Sequence, residues 1–360
     1  MSLFGDAVLF FVTKPLLQIG DYMTDAIWAI VLKLTLAMSA DAEATLLFAG
    51  DAMMHQAQID AAKVERGVYD YTACFEPVQS MIEAADYAVV NLETPLGSSN
   101  YSGYPCFNAP VSYATALRDA GFDFFLTANN HTLDRRDRGL KYTLQALDSL
   151  QISHIGSYVN AKARAESVPV VKDIKGFKIG FLNYTYGTNG ISIQGDAVVD
   201  YINRQKISSD IKTTREAGAE LLVVAMHWGE EYVLLPVKSQ KQLADFLISE
   251  GVDMVIGGHP HVVQPYEMRV NPQTGRNAVV TYSLGNFISN MKTRDTRGGA
   301  LAEVKLGRDS LGTAVVKDVK YNLVFTVPPS RRGENYKVYP IDSVPPAWKS
   351  HAEAFRKALK

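Results

Sequence analysis

VDMVIGGHPH (residues 252–261) is an apolar run that ends in two glycines and then two histidines separated by a proline. An apolar stretch without strict alternation is what a strand buried on both faces looks like, and the glycines mark where the backbone leaves the sheet. The imidazoles of His259 and His261 therefore fall at the carboxyl end of that strand. In an open α/β sheet this is the edge at which ligands bind.

The same grammar recurs along the chain. TLLFAGD (45–51), YAVVNLE (87–93), FDFFLTANNH (122–131), ISHIG (152–156), KIGFLNYT (178–185), ELLVVAMHWG (220–229) and AVVTYSLGNF (278–287) are short apolar runs closed by polar residues or glycine. Helical stretches lie between them. In 139–150, Leu140, Leu144 and Leu147 share a face; in 239–250, Leu243, Phe246 and Leu247 do so, with Gly251 placed as a C-terminal cap. Strand–helix alternation of this kind predicts an α/β domain. After residue 298 the chain reads as strands without helices, GALAEVKLG (299–307) and GTAVVKDVKYNLVFTV (312–327), which are expected to complete a second sheet. From Pro328 onward proline and charge predict a loosely packed tail ending in a small helix. The expected organisation is an N-terminal segment 1–43, a domain 44–327 and a tail 328–360, without internal repeats.

The chemistry is concentrated at the strand exits. Asp51, Glu93, Asn129, Asn130, His131, His227, His259 and His261 each follow an apolar run. Taken singly, each has a plain structural reading: Asp51 as a helix cap, Glu93 as a surface residue at a turn, Asn129 and Asn130 as turn formers, His227 as an interior histidine. Two imidazoles rigidified by a proline are harder to explain as a turn. Taken together the plain readings require several independent coincidences at one sheet edge, so the joint reading prevails. Carboxylate, amide oxygen and imidazole suit a divalent ion such as manganese, zinc or iron, and the lack of cysteine among them argues against a structural zinc site.

Composition narrows the partners. The chain has 360 residues, 47% of them hydrophobic, enough for a sizeable core. Its 36 basic and 38 acidic residues leave a net charge of −2, without the basic field of a general nucleic-acid binder. Cys74 and Cys106 are the only cysteines. They read either as two core thiols or, in an exported chain, as one bridge. Near the N-terminus, residues 8–12 and 27–37 are apolar, yet neither reaches the roughly 20 residues that span a bilayer, and Lys33 interrupts the second. Residues 23–42 have the apolar middle and small-residue exit of a secretory leader without its basic start. The segment reads as a degenerate leader, an amphipathic surface helix or a misplaced start.

Six motifs, GDAMMH (50–55), NLETP (91–95), ANNHTLDRRDRG (128–139), HWGEEY (227–232), GHPHVVQ (258–264) and SLGNF (283–287), closely resemble, in order, those of the bacterial CapA or poly-γ-glutamate-synthesis (PGA_cap) family. That family is a branch of the calcineurin-like metallophosphoesterase superfamily, and the resemblance covers roughly residues 44–290. It implies an α/β fold of four layers, α-β-β-α, with mixed sheets. It also implies one or two divalent ions: Glu93, Asn130, His227 and His259 would hold one, and Asp51, Glu93 and His261 the other. His131 would protonate a leaving oxygen, with Asp134, three residues on, either orienting it or capping a helix, and Glu230 or Glu231 assisting from behind. Asn286 is expected to hydrogen-bond a ligand histidine. Arg135, Arg136 and Arg138 form a basic cluster that reads as an anion clamp or as a solvated face, and the aromatic loop 101–107 reads as a stacking wall or as ordinary packing. One departure matters. Where the superfamily has a histidine two residues after the first aspartate, this chain has Met53, with His55 nearby at a different spacing.

Two function classes follow from the resemblance. One is a metal-dependent hydrolase of a phosphoester in envelope polymer metabolism. The other is an accessory protein that binds anionic polymer, or a capsule or polyglutamate synthesis partner, at the same cleft. The expected location is the cell envelope, periplasmic or membrane-associated through the N-terminal segment, with the cytoplasm left open.

Overall fold

The computed structural model describes residues 42–359. The chain first lays down β1 (Ala44–Ala52), β2 (Tyr87–Leu92), β3 (Phe124–Leu126) and β4 (Ser153–Ile155), all parallel neighbours in one sheet. It then crosses to a second sheet made of β5 (Val170–Ile174), β6 (Phe177–Thr185), β7 (Leu221–His227), β8 (Met254–Gly258), β9 (Tyr266–Val270) and β10 (Asn277–Thr281). Finally it returns to the first through β11 (Asn286–Ile288), β12 (Gly298–Arg308), β13 (Ala314–Val327) and β14 (Lys337–Pro340). The eight-stranded sheet has the order β14-β13-β12-β1-β2-β3-β4, with β11 beside the end of β1. The six-stranded sheet has the order β5-β6-β7-β8-β10-β9. Both are mixed: β12 runs antiparallel to β1, and β5 and β9 are antiparallel to their neighbours.

The period of two along each strand sorts its side chains into layers. Leu46 and Phe48 of β1 pack in the central core with Phe181, Val223 and Val255 of the other sheet, whereas Leu47 and Ala49 join Ile82, Tyr113, Leu117 and Leu147 under the helices outside. Phe181 makes the contact between sheets: its ring lies 5.0 Å from Phe124 and 5.7 Å from Tyr87. The adjacent Gly180 faces the other way, so close to a helix that a Cβ there would stand 2.3 Å from Thr214 Cγ2. Helices α1 (Val111–Asp119) and α2 (Arg136–Ser149) contribute to the outer layer of the first sheet, and α3 (Arg204–Glu216) and α4 (Lys238–Ser249) to that of the second. Gly251, at φ +88°, terminates α4 as expected. The result is helix, sheet, sheet, helix, the four-layer arrangement with mixed sheets that the motifs implied.

The expectation that the last strands complete a second sheet is not met. β12 pairs along the first strand of the chain, from Ala44 opposite Leu306 to Phe48 opposite Ala302, and β13 and β14 extend that first sheet outward. Without β12, β1 would present an unpaired hydrogen-bonding edge along its first half. The tail is also better packed than its composition suggests. Tyr336, Val338 and Ile341 are buried, and the ring of Phe355 in α5 (Lys349–Ala358) lies directly on Gly298, where a Cβ would come within 2.2 Å of it. Pro328, Pro329 and the charged run that follows mask a short edge strand. The N-terminal readings at residues 1–41 lie outside the described residues. No helix among the described residues is long and apolar enough to cross a membrane.

Because Phe181 is 1% exposed and joins the two sheets, Phe181→Ala is expected to destabilise the protein by about 3–5 kcal/mol, measured by urea denaturation. A loss under about 1 kcal/mol would show that the intersheet core does not depend on this contact.

Candidate metal centre

Strand ends from both sheets converge on one buried point. At the end of β1 the pairing register with β2 shifts between Ala49 and Asp51, and Gly50 passes so near Gly285 that a Cβ would lie 2.0 Å from its carbonyl oxygen. Only glycine permits that approach. It turns the Asp51 carboxylate inward, fully buried, where Oδ1 accepts a 2.8 Å hydrogen bond from Asn91 Nδ2 and Oδ2 accepts one of 3.2 Å from the His259 amide. Just past β2, the Glu93 carboxylate is also fully buried, with Oε1 lying 3.6 Å from His227 Nε2 and 3.9 Å from His261 Nε2. After β3, Asn129 ties the turn to the neighbouring strand through Nδ2 to the Leu92 carbonyl at 2.8 Å, a structural role. Asn130 faces the centre instead, its Oδ1 2.9 Å from His227 Nε2.

The second sheet supplies the imidazoles. His227 closes β7, and His259 and His261 follow β8. His259 at φ +101° and His261 at φ +58° both hold backbone conformations that residues with a Cβ adopt at a cost, on the order of 1–3 kcal/mol each. Strain of that kind persists where the surroundings fix it. Here the His259 amide is bound to Asp51, and the His261 ring donates from Nδ1 to Asn286 Oδ1 at 3.0 Å. Asn286 in turn donates its amide to the Thr296 carbonyl at 2.9 Å, which orients the His261 ring so that Nε2 faces Glu93. That contact matches the expectation for Asn286.

The electrostatics are those of a centre built around positive charge. Burial, with the Asp51 charge beside it, pushes the Glu93 carboxyl well above the usual range. Burial acts to raise Asp51 as well, but its hydrogen bond with His261 and the proximity of His227 outweigh it and hold this carboxyl low. His227 is pushed well below its ordinary value by burial and then by His259; His259 is lowered to about 3 by burial and then by His261. Neutral imidazoles keep a lone pair for a ligand.

Two buried side-chain atoms in the cluster, Glu93 Oε1 and His259 Nδ1, have no hydrogen-bond partner. An acceptor and an imidazole nitrogen left unpaired in the interior are costly unless something binds there. Asp51, Glu93 and His227 bring ligand atoms within 4.8 Å of one another, and so do Glu231, His259 and His261. The oxygen and nitrogen donor set, free of sulfur, fits a divalent cation.

His131 stands beside this cluster. Its Nδ1 is 2.8 Å from Asp134 Oδ2, which also accepts a 2.8 Å hydrogen bond from the Phe107 amide, and the Phe107 ring lies 4.5 Å from the imidazole. Asp134 therefore orients His131. The aromatic loop divides its labour: Phe107 packs against His131, while Tyr104 is 71% exposed at the mouth. Arg135 bonds the Cys106 carbonyl, and Arg136 and Arg138 face solvent, so the basic cluster is not gathered at the centre. Met53 is buried, and His55 packs its ring against Phe107 at 5.4 Å, outside the ligand groups. Cys74 and Cys106 are free thiols. Sequence reasoning passed over Asn91, whose amide contacts Asp51, Glu93 and His227, because its place inside an apolar strand looked structural. It also assigned Glu231 only an outer role.

The family model described as "Bacterial capsule synthesis protein PGA_cap" matches residues 45–291. Among curated proteins, the capsule biosynthesis protein CapA of Bacillus anthracis is 28% identical over 298 residues, covering 78% of this chain and 67% of that protein. The PGA biosynthesis protein CapA of Bacillus subtilis (strain 168) is 26% identical over 272 residues, 74% of this chain and 68% of that protein. Among solved structures, the NAD nucleotidase NadN of Haemophilus influenzae aligns over 88% of this chain with a TM-score of 0.51 at 11% identity. That likeness is one of fold. The chain spans about two thirds of the curated relatives and 56% of the nucleotidase.

His227→Ala and His259→Ala are each expected to lose most bound Mn²⁺ by elemental analysis while keeping the wild-type far-ultraviolet circular dichroism. Full metal content in both variants would rule the cluster out as a metal centre. Glu93, with its folded pKa raised, stabilises the metal-free protein at low pH and ceases to do so as pH rises through that folded value. A cation that displaces its proton binds better at higher pH, so the rise in Tm produced by Mn²⁺ should grow as the pH is raised, followed by differential scanning fluorimetry. A shift independent of pH would count against Glu93 as a ligand.

Proposed function

The chain belongs to the bacterial capsule synthesis protein PGA_cap family, and from that premise we propose that its strand-end centre is a metal-dependent hydrolytic site for a phosphoester in cell-envelope polymer metabolism. The observation that carries this reading is the pair of unpartnered buried ligand atoms, Glu93 Oε1 and His259 Nδ1, next to a histidine already oriented by a carboxylate. A cation bound among these carboxylates and imidazoles would give both atoms the partner they lack.

In this reading Glu93, Asn130, His227 and His259 hold one divalent ion, and Asp51, Glu93 and His261 a second. The ions, manganese, zinc or iron, would supply Lewis-acid polarisation of the phosphoryl group and water activated at neutral pH. The chain does the rest. Asn91 keeps the Asp51 and Glu93 carboxylates in place through one amide, at 2.8 and 3.4 Å. Asp134 engages His131 Nδ1, which leaves Nε2 to deliver a proton to the departing oxygen. Phe107 shields that ring from water on one side. Envelope location is the expected setting, since the family and its relatives are described by capsule synthesis.

A second reading has its own support. Met53 stands where the wider superfamily carries a ligand histidine, and its buried thioether is a poor donor for a borderline or hard cation. Three exposed tyrosines, Tyr104, Tyr186 and Tyr232, ring the mouth, with Tyr186 4.5 Å from His259 and Tyr232 6.1 Å from His261. Such a rim suits retention of an anionic polymer, or of a synthesis partner, without turnover.

The test is hydrolysis of a chromogenic phosphodiester by the full chain loaded with Mn²⁺. Turnover is expected, and His131→Ala should keep its metal and lose about a hundredfold or more in kcat. Bound metal without turnover, together with binding of poly-γ-glutamate, would favour the accessory reading.

A further inference from the structure

The loop after β7 brings a carboxylate to the centre from a direction that the superfamily pattern does not use. Glu231 is exposed, yet one of its carboxylate oxygens lies within 4.8 Å of ligand nitrogens of both His259 and His261. Its position is fixed by the backbone. The Trp228 amide donates to the Gly258 carbonyl at 3.1 Å, the Tyr232 amide to the Pro260 carbonyl at 2.8 Å, and Gln264 Nε2 to the Val233 carbonyl at 2.7 Å. Between these ties the chain reverses through Gly229 at φ +92° and Tyr232 at φ +67°, which places residues 230 and 231 over the histidine loop. No lysine or arginine among the described residues forms an ion pair with Glu231.

A second, independent observation points to a ligand at the same place. His259 is 3% exposed and its Nδ1 has no partner, and Glu93 Oε1, fully buried, has none either. Met53, at the position where the resemblance leads one to expect a histidine, carries no donor suited to a borderline or hard cation.

We propose that Glu231 is a metal ligand, supplying a carboxylate oxygen from the mouth to the ion that His259 and His261 face. This rests on the metal-centre reading above and adds to it a residue and a selectivity. Glu231 then adds an oxygen donor to the two imidazoles of His259 and His261, the group whose ligand atoms lie within 4.8 Å of one another. A carboxylate oxygen at that place shifts the group toward Mn²⁺ relative to one in which a third histidine nitrogen replaces it. Glu231 also closes the open side of the centre, so the metal affinity of this chain depends on a surface loop.

The experiment is Mn²⁺ titration of the full chain by isothermal calorimetry, with electron paramagnetic resonance to count bound ions and circular dichroism to verify the fold. Wild type is expected to bind two equivalents. Glu231→Ala should keep one and weaken the other at least tenfold, Glu230→Ala should match wild type, and Glu231→His should shift the weaker site toward Zn²⁺ in competition. Two undiminished equivalents in Glu231→Ala, or the same loss in Glu230→Ala, would overturn the assignment while leaving the centre itself standing. Absence of any binding by wild type would instead overturn the metal centre together with this inference.

Discussion

The molecule is organised around two carboxylates that it has taken out of water. Asp51 and Glu93 are both fully buried and share the amide of Asn91. Removing an ionised carboxylate from solvent costs several kcal/mol unless it is neutralised or paired. Two such groups cannot both stay charged side by side without help, and the structure divides the problem unequally: the His261 contact holds Asp51 low, while burial and Asp51 drive Glu93 up. The surrounding features, among them the bulge at Gly50, the turn fixed by Asn129 and the strained backbone of His259 and His261, serve to hold this unstable pair in one geometry.

Much of that arrangement is legible in the sequence because strand ends are chemically conspicuous. An apolar run closed by Gly-Asp, Asn-Leu-Glu, Asn-Asn-His or Gly-His-Pro-His identifies both the sheet and the edge where its polar residues gather. Asp51, Glu93, Asn130, His227, His259 and His261 are accordingly found together. What was not legible has a common cause: long-range pairing leaves no local trace. Nothing in 299–327 tells whether that hairpin extends the first sheet or the second, since either edge would bury the same side chains. The short strand Lys337–Pro340 is hidden by the prolines and charges that precede it.

The two residues that sequence reasoning undervalued fail for opposite reasons. Asn91 lies inside a strand, where an amide amid apolar neighbours looks like a tolerated exception, and only the register of β2 beside β1 brings it to Asp51. Glu231 lies in an exposed loop, where a glutamate is ordinary, and only the hydrogen bonds that tie this loop over residues 258–260 bring it to the histidines. Residue type is informative at a strand exit. In a loop, backbone geometry decides.

The ligand groups are not drawn from one sheet. Asp51, Glu93 and Asn130 ride on the first, and His227, His259 and His261 on the second, so that, Glu231 apart, the oxygen donors and the nitrogen donors belong to two different slabs. Below the centre these slabs touch through packed side chains such as Phe181 and Phe124, whose apolar contact carries none of the directionality of a hydrogen bond. An occupied centre is therefore a rivet at the free end of the sandwich. Shear between the sheets, a motion that leaves every strand and helix intact, pulls the anionic half of the site away from the imidazole half, and the rigidity of the whole sandwich becomes a determinant of how tightly a cation is held.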